Sequence, residues 1–173
     1  MSAASVITKD PDTGIQNMGI YRMQIHDATH AGLSFAGPMQ HGAIHLKKYA
    51  ERQQPMPVAA VIGAPPVVTF ASAAKTRYGV DELDIAGGLA GSRVEVVRGK
   101  TVDLLVPANA KCVIEGLVMP GSRETEGTFG EFLGYLSGSA PASVVDITAI
   151  THCSTPPHDG FVRSNCLRPT VTW

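Results

Sequence analysis

The sequence has no surplus of positive charge, no long apolar run and few aromatic residues. Its 14 Lys+Arg are matched by 15 Asp+Glu, and the net charge of −1 disfavours nucleic acid as the main partner, because basic side chains hold a phosphate backbone. No apolar run reaches the roughly 18 residues that a membrane-spanning helix needs. The N-terminal residues lack the basic and apolar regions of a secretory signal. We therefore expect a cytoplasmic protein that binds neither nucleic acid nor a membrane.

Cysteine is also scarce. The three cysteines, Cys112, Cys153 and Cys166, are odd in number and widely spaced, which indicates a reducing compartment and argues against a disulfide framework. No pair has the spacing of a zinc finger. A chain of 173 residues that is 44% hydrophobic can bury the core of one ordinary domain. The 18 glycines and 12 prolines favour many short elements joined by turns over long helices.

Strand and helix patterns alternate in the first half of the sequence, and strand patterns dominate the second half. Alternating or continuous apolar runs predict strands at residues 19–25, 32–35, 58–62, 94–98, 102–106, 112–119 and 144–151. Helices are predicted at residues 42–53, 66–74 and 82–90, the last with Asp81 as its N-cap. These elements predict an α+β fold, in which strands form a barrel or sandwich with helices attached. Residues 1–155 would form the domain, and residues 156–173 an extended tail.

The segment Glu126-Gly127-Thr128-Phe129-Gly130-Glu131 places two carboxylates around a pair of glycines, and apolar residues follow at once. One interpretation is a site where backbone approaches a ligand and a carboxyl is partly desolvated, as acid–base chemistry requires. The other is a glycine-rich turn with two exposed glutamates. The residues by themselves favour the turn.

The six histidines raise the question of a metal site. His26 and His30 are four residues apart, as are His41 and His45, and this spacing puts two side chains on one helix face. The sequence contains no His-Glu-x-x-His motif, and His26 to His30 is typical of a turn that leaves a strand. A surface or core role is the favoured interpretation for each histidine.

Asn17, His41 and Glu82 each lie at the boundary of a predicted element, where ligands collect in mixed folds. An amide, an imidazole and a carboxylate suit Mn²⁺ or Mg²⁺ better than structural zinc. The sequence alone does not select these three from other polar residues. Arg22 lies in the middle of a predicted strand, where it is either exposed or, if buried, paired with an anion.

Several segments together resemble one family. They are residues 16–24, 66 onward with 79–89, 101–108, 113–116, 126–131 with 134–135, and 147–152. In this order they resemble the UbiD family of reversible (de)carboxylases, which use prenylated FMN, and the similarity runs from about residue 7 to residue 155. The resemblance implies a split β-barrel of the flavin-reductase-like type with flanking helices. It also implies that this chain corresponds to the central flavin-binding domain of much longer proteins.

The resemblance assigns roles to individual residues. Asn17, His41 and Glu82 would coordinate a Mn²⁺-type ion that bridges to the cofactor phosphate, and a potassium ion would lie near Ser72. Arg22, Glu126 and Glu131 would form the catalytic network. The remaining positions would contact prenylated FMN, together with Asn17, Arg22 and His41: they are Ile20, Tyr21, Pro38, Met39, Gln40 and Gly42.

The implied reaction is the reversible, non-oxidative decarboxylation of an aromatic or α,β-unsaturated carboxylic acid, with Glu131 as proton donor. A flavin prenyltransferase would supply the cofactor, and the protein would be a homo-oligomer or a subunit of a larger complex. Two alternatives remain: a non-catalytic carrier or accessory subunit that binds prenylated FMN or FMN, and a structural remnant that binds nothing. Thr128 departs from the family pattern, which usually has proline there.

Overall fold

A curled antiparallel sheet with three helices forms the protein. The structure, a computed structural model, describes residues 4–130 and 134–153. Its strands are β1 (Ser5–Lys9), β2 (Gln16–Ile20), β3 (Arg22–Ile25), β4 (His30–Ser34), β5 (Met56–Ile62), β6 (Val96–Arg98), β7 (Leu105–Pro107), β8 (Cys112–Glu126) and β9 (Ala140–His152). Its helices are α1 (His41–Glu51), α2 (Pro66–Ser72) and α3 (Glu82–Ala90). None of these helices has the length and apolar character needed to cross a membrane. The predicted α+β fold is confirmed.

The sheet curls because its two edge strands are consecutive in the chain. Seven strands pair in the order β2-β1-β5-β8-β9-β4-β3, and β6 pairs with β7 separately. Only Tyr21 separates β2 from β3, so Ile20 and Arg22 have Cα atoms at most about 7 Å apart although they belong to opposite edges. A flat seven-stranded sheet would separate its edges by about 28 Å, given the usual strand spacing. The prediction of one strand over residues 19–25 is therefore wrong.

Both faces of the central strands are buried. Along β5, Val58 and Ala60 pack in the cluster that includes Leu46 and Tyr49 of α1. Ala59 and Val61 face the other way, into a cluster with apolar residues of α2 and α3. A strand covered on both sides must be apolar at consecutive positions, and this explains why residues 58–62 form a continuous apolar run.

The helices begin close to their predicted positions because local signals mark them. Pro66 occupies the first turn of α2, and the Asp81 side chain accepts a hydrogen bond from Leu83 N at the start of α3. The strands differ more from their predicted positions. β1 was not predicted, and β8 extends to Glu126 rather than ending at Met119. The tail predicted at residues 156–173 lies outside the described residues.

Buried Glu115 attaches the turn between β6 and β7 to the main sheet. Its side chain is 1% exposed, and its carboxylate accepts hydrogen bonds from the backbone N–H groups of Lys100, Thr101 and Val102 and from the Thr101 hydroxyl. Burial would raise the pKa of Glu115, but these hydrogen bonds outweigh it and lower the pKa below its ordinary value of 4.5.

We predict that Glu115→Ala destabilises the protein by about 3 kcal/mol, because it removes the acceptor of three backbone N–H groups, that of buried Val102 among them, and leaves a cavity at a buried position. Urea denaturation measures the change, with exposed Glu95→Ala as the matched control. Because the folded pKa is depressed, the contribution of Glu115 is complete above pH 4.5 and is lost as the pH falls through the folded value. An equal effect of the two substitutions would contradict this role.

Candidate active site

Arg22 and Glu126 form an ion pair at the end of the curled sheet. Arg22 Nη2 lies 3.3 Å from Glu126 Oε2, and the Arg22 guanidinium lies over the Phe129 ring at 4.1 Å. The Glu126 side chain is 1% exposed, and its Oε1 has no hydrogen-bond partner among the residues that the structure describes. Glu126 is the last residue of β8, so the interpretation as a turn with exposed glutamates is wrong for this residue. Glu131 lies outside the described residues.

Alternation along β3 places further polar side chains beside this pair. Arg22, Gln24 and the next residue of the same face, His26, all contact the end of β8. Gln24 Oε1 accepts a hydrogen bond from Gly127 N at 2.9 Å, and His26 Nδ1 lies 2.6 Å from Glu124 Oε2. The sequence shows this alternation, but it does not show that β8 is the strand facing it.

Of the predicted metal ligands Asn17, His41 and Glu82, which belong to three elements, Asn17 and His41 come into contact. Asn17 Oδ1 lies 3.2 Å from His41 Nδ1. Glu82 accepts hydrogen bonds from Met18 N at 2.6 Å and from the Thr76 hydroxyl at 2.7 Å. Its carboxylate is therefore fixed to the backbone of the residue that follows Asn17 in the chain.

The donor set at Asn17 and His41 fits a divalent ion. Two adjacent ligands of an octahedral Mg²⁺-type ion lie about 3.0 Å apart, close to the observed Oδ1 to Nδ1 distance, which also suits a hydrogen bond. A cavity of about 10 Å³ borders both side chains, roughly the space of one water or ion. Glu82 does not line this cavity, and both its oxygens are hydrogen-bonded. Within residues 4–130 and 134–153, no three His, Cys, Asp or Glu side chains form a metal-holding group.

Tyr21 lies between the pair of Arg22 and Glu126 and the pair of Asn17 and His41. Its hydroxyl accepts hydrogen bonds from Gly42 N at 3.2 Å and from Asn17 Nδ2 at 3.3 Å, and its ring packs edge-on against Phe35. The other residues predicted to contact the flavin differ in burial: Ile20, Pro38, Met39 and Gln40 are exposed, whereas Gly42 is buried. Ser72 Oγ, near the predicted potassium site, bonds the Thr69 carbonyl at 2.7 Å and lies 2.9 Å from Ser5 Oγ. The flavin and potassium assignments stay predictions.

Asp10, His45, Lys48 and Tyr78 form a network around the buried Asp10 carboxylate and His45 ring that the sequence did not reveal. The Asp10 carboxylate accepts hydrogen bonds from Lys48 Nζ at 2.8 Å and from the Tyr78 hydroxyl. Burial opposes ionisation of Asp10, but these bonds outweigh it and lower its pKa. Asp10 begins the turn of residues 10–14, and no local sequence pattern indicates its contacts with α1 and Tyr78.

A second cavity, of about 590 Å³, adjoins the small one. It is an open cleft that shares Ile15, Gln16 and Gly79 with the small cavity. Its charged residues include Lys9 and Arg98, which both pair with Asp103. Lys9, Arg98 and Asp103 are ion-paired in this open cleft, whereas Glu126 is buried and has one oxygen without a partner among the described residues. The pair of Arg22 and Glu126 is therefore the better candidate for chemistry.

We predict that Tyr21→Phe lowers the free energy of unfolding by about 1–2 kcal/mol, because buried Gly42 N then lacks an acceptor. Urea denaturation measures this change. Tyr135→Phe removes the same atom from an exposed ring and is expected to change stability by less than about 0.5 kcal/mol. Equal effects would mean that the Tyr21 hydroxyl is not needed at this junction.

We predict that the stability of the metal-free chain depends on pH because His45 is buried. Burial lowers the pKa of His45 to about 4, while the charge of Asp10 opposes this shift. The unfolded chain, with an ordinary pKa of 6.5, therefore takes up this proton first as the pH falls. Stability is full above pH 6.5 and decreases by up to about 3 kcal/mol as the pH approaches 4. His45→Gln should flatten this part of a thermal-midpoint profile, and an unchanged slope would contradict the assignment.

Comparison with known proteins gives consistent matches. A family model, described as the 3-octaprenyl-4-hydroxybenzoate carboxy-lyase Rift-related domain, matches residues 1–162. A phenolic acid decarboxylase of Bacillus subtilis is 38% identical over 160 residues, which cover 90% of this chain and 34% of that protein. The chain spans about a third of the length of the curated relatives it matches.

Two solved structures share the fold closely. One is an evolved dimeric form of the UbiD-class enzyme HmfF from Pelotomaculum thermopropionicum in complex with prFMN, with a TM-score of 0.86 and 42% identity over 90% of this chain and 36% of that one. The other is the closed form of Sedimentibacter hydroxybenzoicus vanillic acid decarboxylase, with a TM-score of 0.85 and 37% identity over 90% of this chain and 34% of that one. Since the family model covers nearly the whole chain, the chain belongs to the UbiD family.

Proposed function

We propose that the chain is the prenylated-FMN-binding part of a decarboxylase that acts on an aromatic or α,β-unsaturated carboxylic acid. The observation that carries the proposal is the ion pair between partly exposed Arg22 and buried Glu126, with Phe129 against the guanidinium. A guanidinium that is held by a buried carboxylate and still reaches solvent can bind the substrate carboxylate and hold it in one orientation. The relatives named phenolic acid and vanillic acid decarboxylases favour an aromatic acid.

The metal and flavin would be held on the Tyr21 side of the site. Asn17, His41 and Glu82 would bind Mn²⁺ or Mg²⁺, which neutralises the cofactor phosphate. When bound, prenylated FMN supplies the electron sink for the negative charge left by loss of CO₂. Exposed Ile20 and Met39 offer apolar surface to such a ligand. A flavin prenyltransferase would supply the cofactor.

The chain's own residues would handle the carboxylate and the proton. Arg22 orients the substrate carboxylate, and Glu126 fixes the guanidinium through its Oε2. Glu131 donates the proton that replaces CO₂. In the reverse direction the same group accepts that proton, because both directions pass through the same transition state.

A second candidate function is flavin binding without turnover, as a carrier or accessory subunit. The observation that favours it is that Tyr21, Asn17 and His41 are joined by contacts of their own, none of which involves the pair of Arg22 and Glu126. This candidate retains the flavin and ion sites but assigns no proton transfer to Glu131.

The test is co-expression with a flavin prenyltransferase, followed by absorbance spectroscopy and measurement of CO₂ release from phenolic acids. We expect a coloured protein that releases CO₂, and Glu131→Gln and Glu126→Gln should each lower the rate by about 100-fold or more with flavin still bound. Glu95→Gln, the same change at an exposed site, should leave the rate unaltered.

Two results separate the candidates. A wild-type chain that binds flavin and releases no CO₂ from any acid supports the second function and refutes the first. A colourless protein refutes both.

A further inference from the structure

His26 lies between solvent and the buried end of the active site. Its side chain is 15% exposed, and Nδ1 lies 2.6 Å from Glu124 Oε2, whose side chain is 58% exposed. The other ring nitrogen, Nε2, is buried and has no hydrogen-bond partner in the described part of the chain. One nitrogen thus contacts a carboxylate that meets water, and the other points inward.

Gly32 shows where Nε2 points. A Cβ atom added to Gly32 would lie 3.0 Å from His26 Nε2 and 3.6 Å from Glu126 Cγ, so both side chains border the same point. Gly32 pairs with Gln24 and Val144 inside the sheet, where glycine weakens a strand and often marks a close approach of other groups. Its missing side chain leaves open the space between the imidazole and the buried glutamate.

We propose that His26 is a positioning residue that relays protons between solvent and Glu126. This role presupposes the decarboxylase function proposed above. Loss of CO₂ from a carboxylate leaves a carbon that must gain one proton, so each turnover consumes one proton from water. The imidazole would take a proton at Nδ1, beside Glu124, and release one from Nε2 toward the Glu126 carboxylate.

The charged groups around His26 come from four parts of the fold. Glu124 and Glu126 face it from β8, and Arg22 precedes it on the same face of β3. In the following turn, His30 bonds to Asp27, which raises the pKa of His30, and His30 Nε2 lies 3.8 Å from Asp146 of β9. His30 resembles His26 in its acidic surroundings but has no contact toward Glu126, which makes His30→Gln the matched control.

The first experiment is an NMR titration of the histidine ring nitrogens in the full chain, which needs no flavin. Glu126→Gln is expected to shift the His26 Nε2 titration, whereas Glu95→Gln leaves it unchanged. Gly32→Ala should alter the same signal, because its new Cβ would crowd Nε2. A His26 titration that ignores both Glu126→Gln and Gly32→Ala overturns the relay, whatever the chain's activity.

The second experiment uses the flavin-loaded protein. His26→Ala should lower kcat about tenfold or more with KM and the flavin spectrum unaltered, and added imidazole should restore the rate. His30→Gln should retain the wild-type rate and pH profile. A full rate in His26→Ala, or a lost rate that imidazole does not restore, overturns the proposal. If the wild type releases no CO₂, the decarboxylase function itself fails, and the titration still decides whether His26 and Glu126 are coupled.

Discussion

The passage of the chain through Tyr21, from one edge of the sheet to the other, is the constraint on which the site depends. Because one residue joins β2 to β3, the seven-stranded sheet must curl until its edges meet. The same junction puts Asn17 at one edge and Arg22 at the other within a few residues of each other. The Tyr21 hydroxyl, bonded to Gly42 N and Asn17, then ties the start of α1 to this junction. The contacts that close the sheet therefore also bring the residues of the candidate site together.

Glu115 and Glu126 lie on the same long strand and are equally buried. Their carboxylates differ in the number of hydrogen-bond partners. Glu115 accepts three backbone hydrogen bonds and one from a hydroxyl, which is typical of a carboxylate that fixes structure. Glu126 has one ion-pair contact to Arg22, and its second oxygen lacks a partner among the described residues. A buried polar atom left in this state costs free energy, and such a cost is commonly tolerated at sites that bind or react.

The sequence predicts best those parts of the molecule that depend on local signals. Asp81 and Pro66 mark helix starts, and the apolar run at 58–62 reports a strand covered on both faces. The break at Tyr21, the β1 strand and the Asp10 network depend on contacts between residues far apart in the chain, so they leave no local pattern. The predicted metal ligands Asn17, His41 and Glu82 were reached only through resemblance to a family, because nothing in their spacing shows which of them lie close together. The same holds for the predicted catalytic residues Arg22 and Glu126.

The one-residue junction also sets how this segment can change in length. Side chains on a strand alternate between faces, so Arg22, Gln24 and His26 share the face toward β8 only in the present register. A single residue inserted after Tyr21 would turn all three away and present Met23 and Ile25 in their place. It would also relax the closure of the sheet. We therefore expect insertions and deletions here to be excluded, unlike in the open turns elsewhere on the sheet.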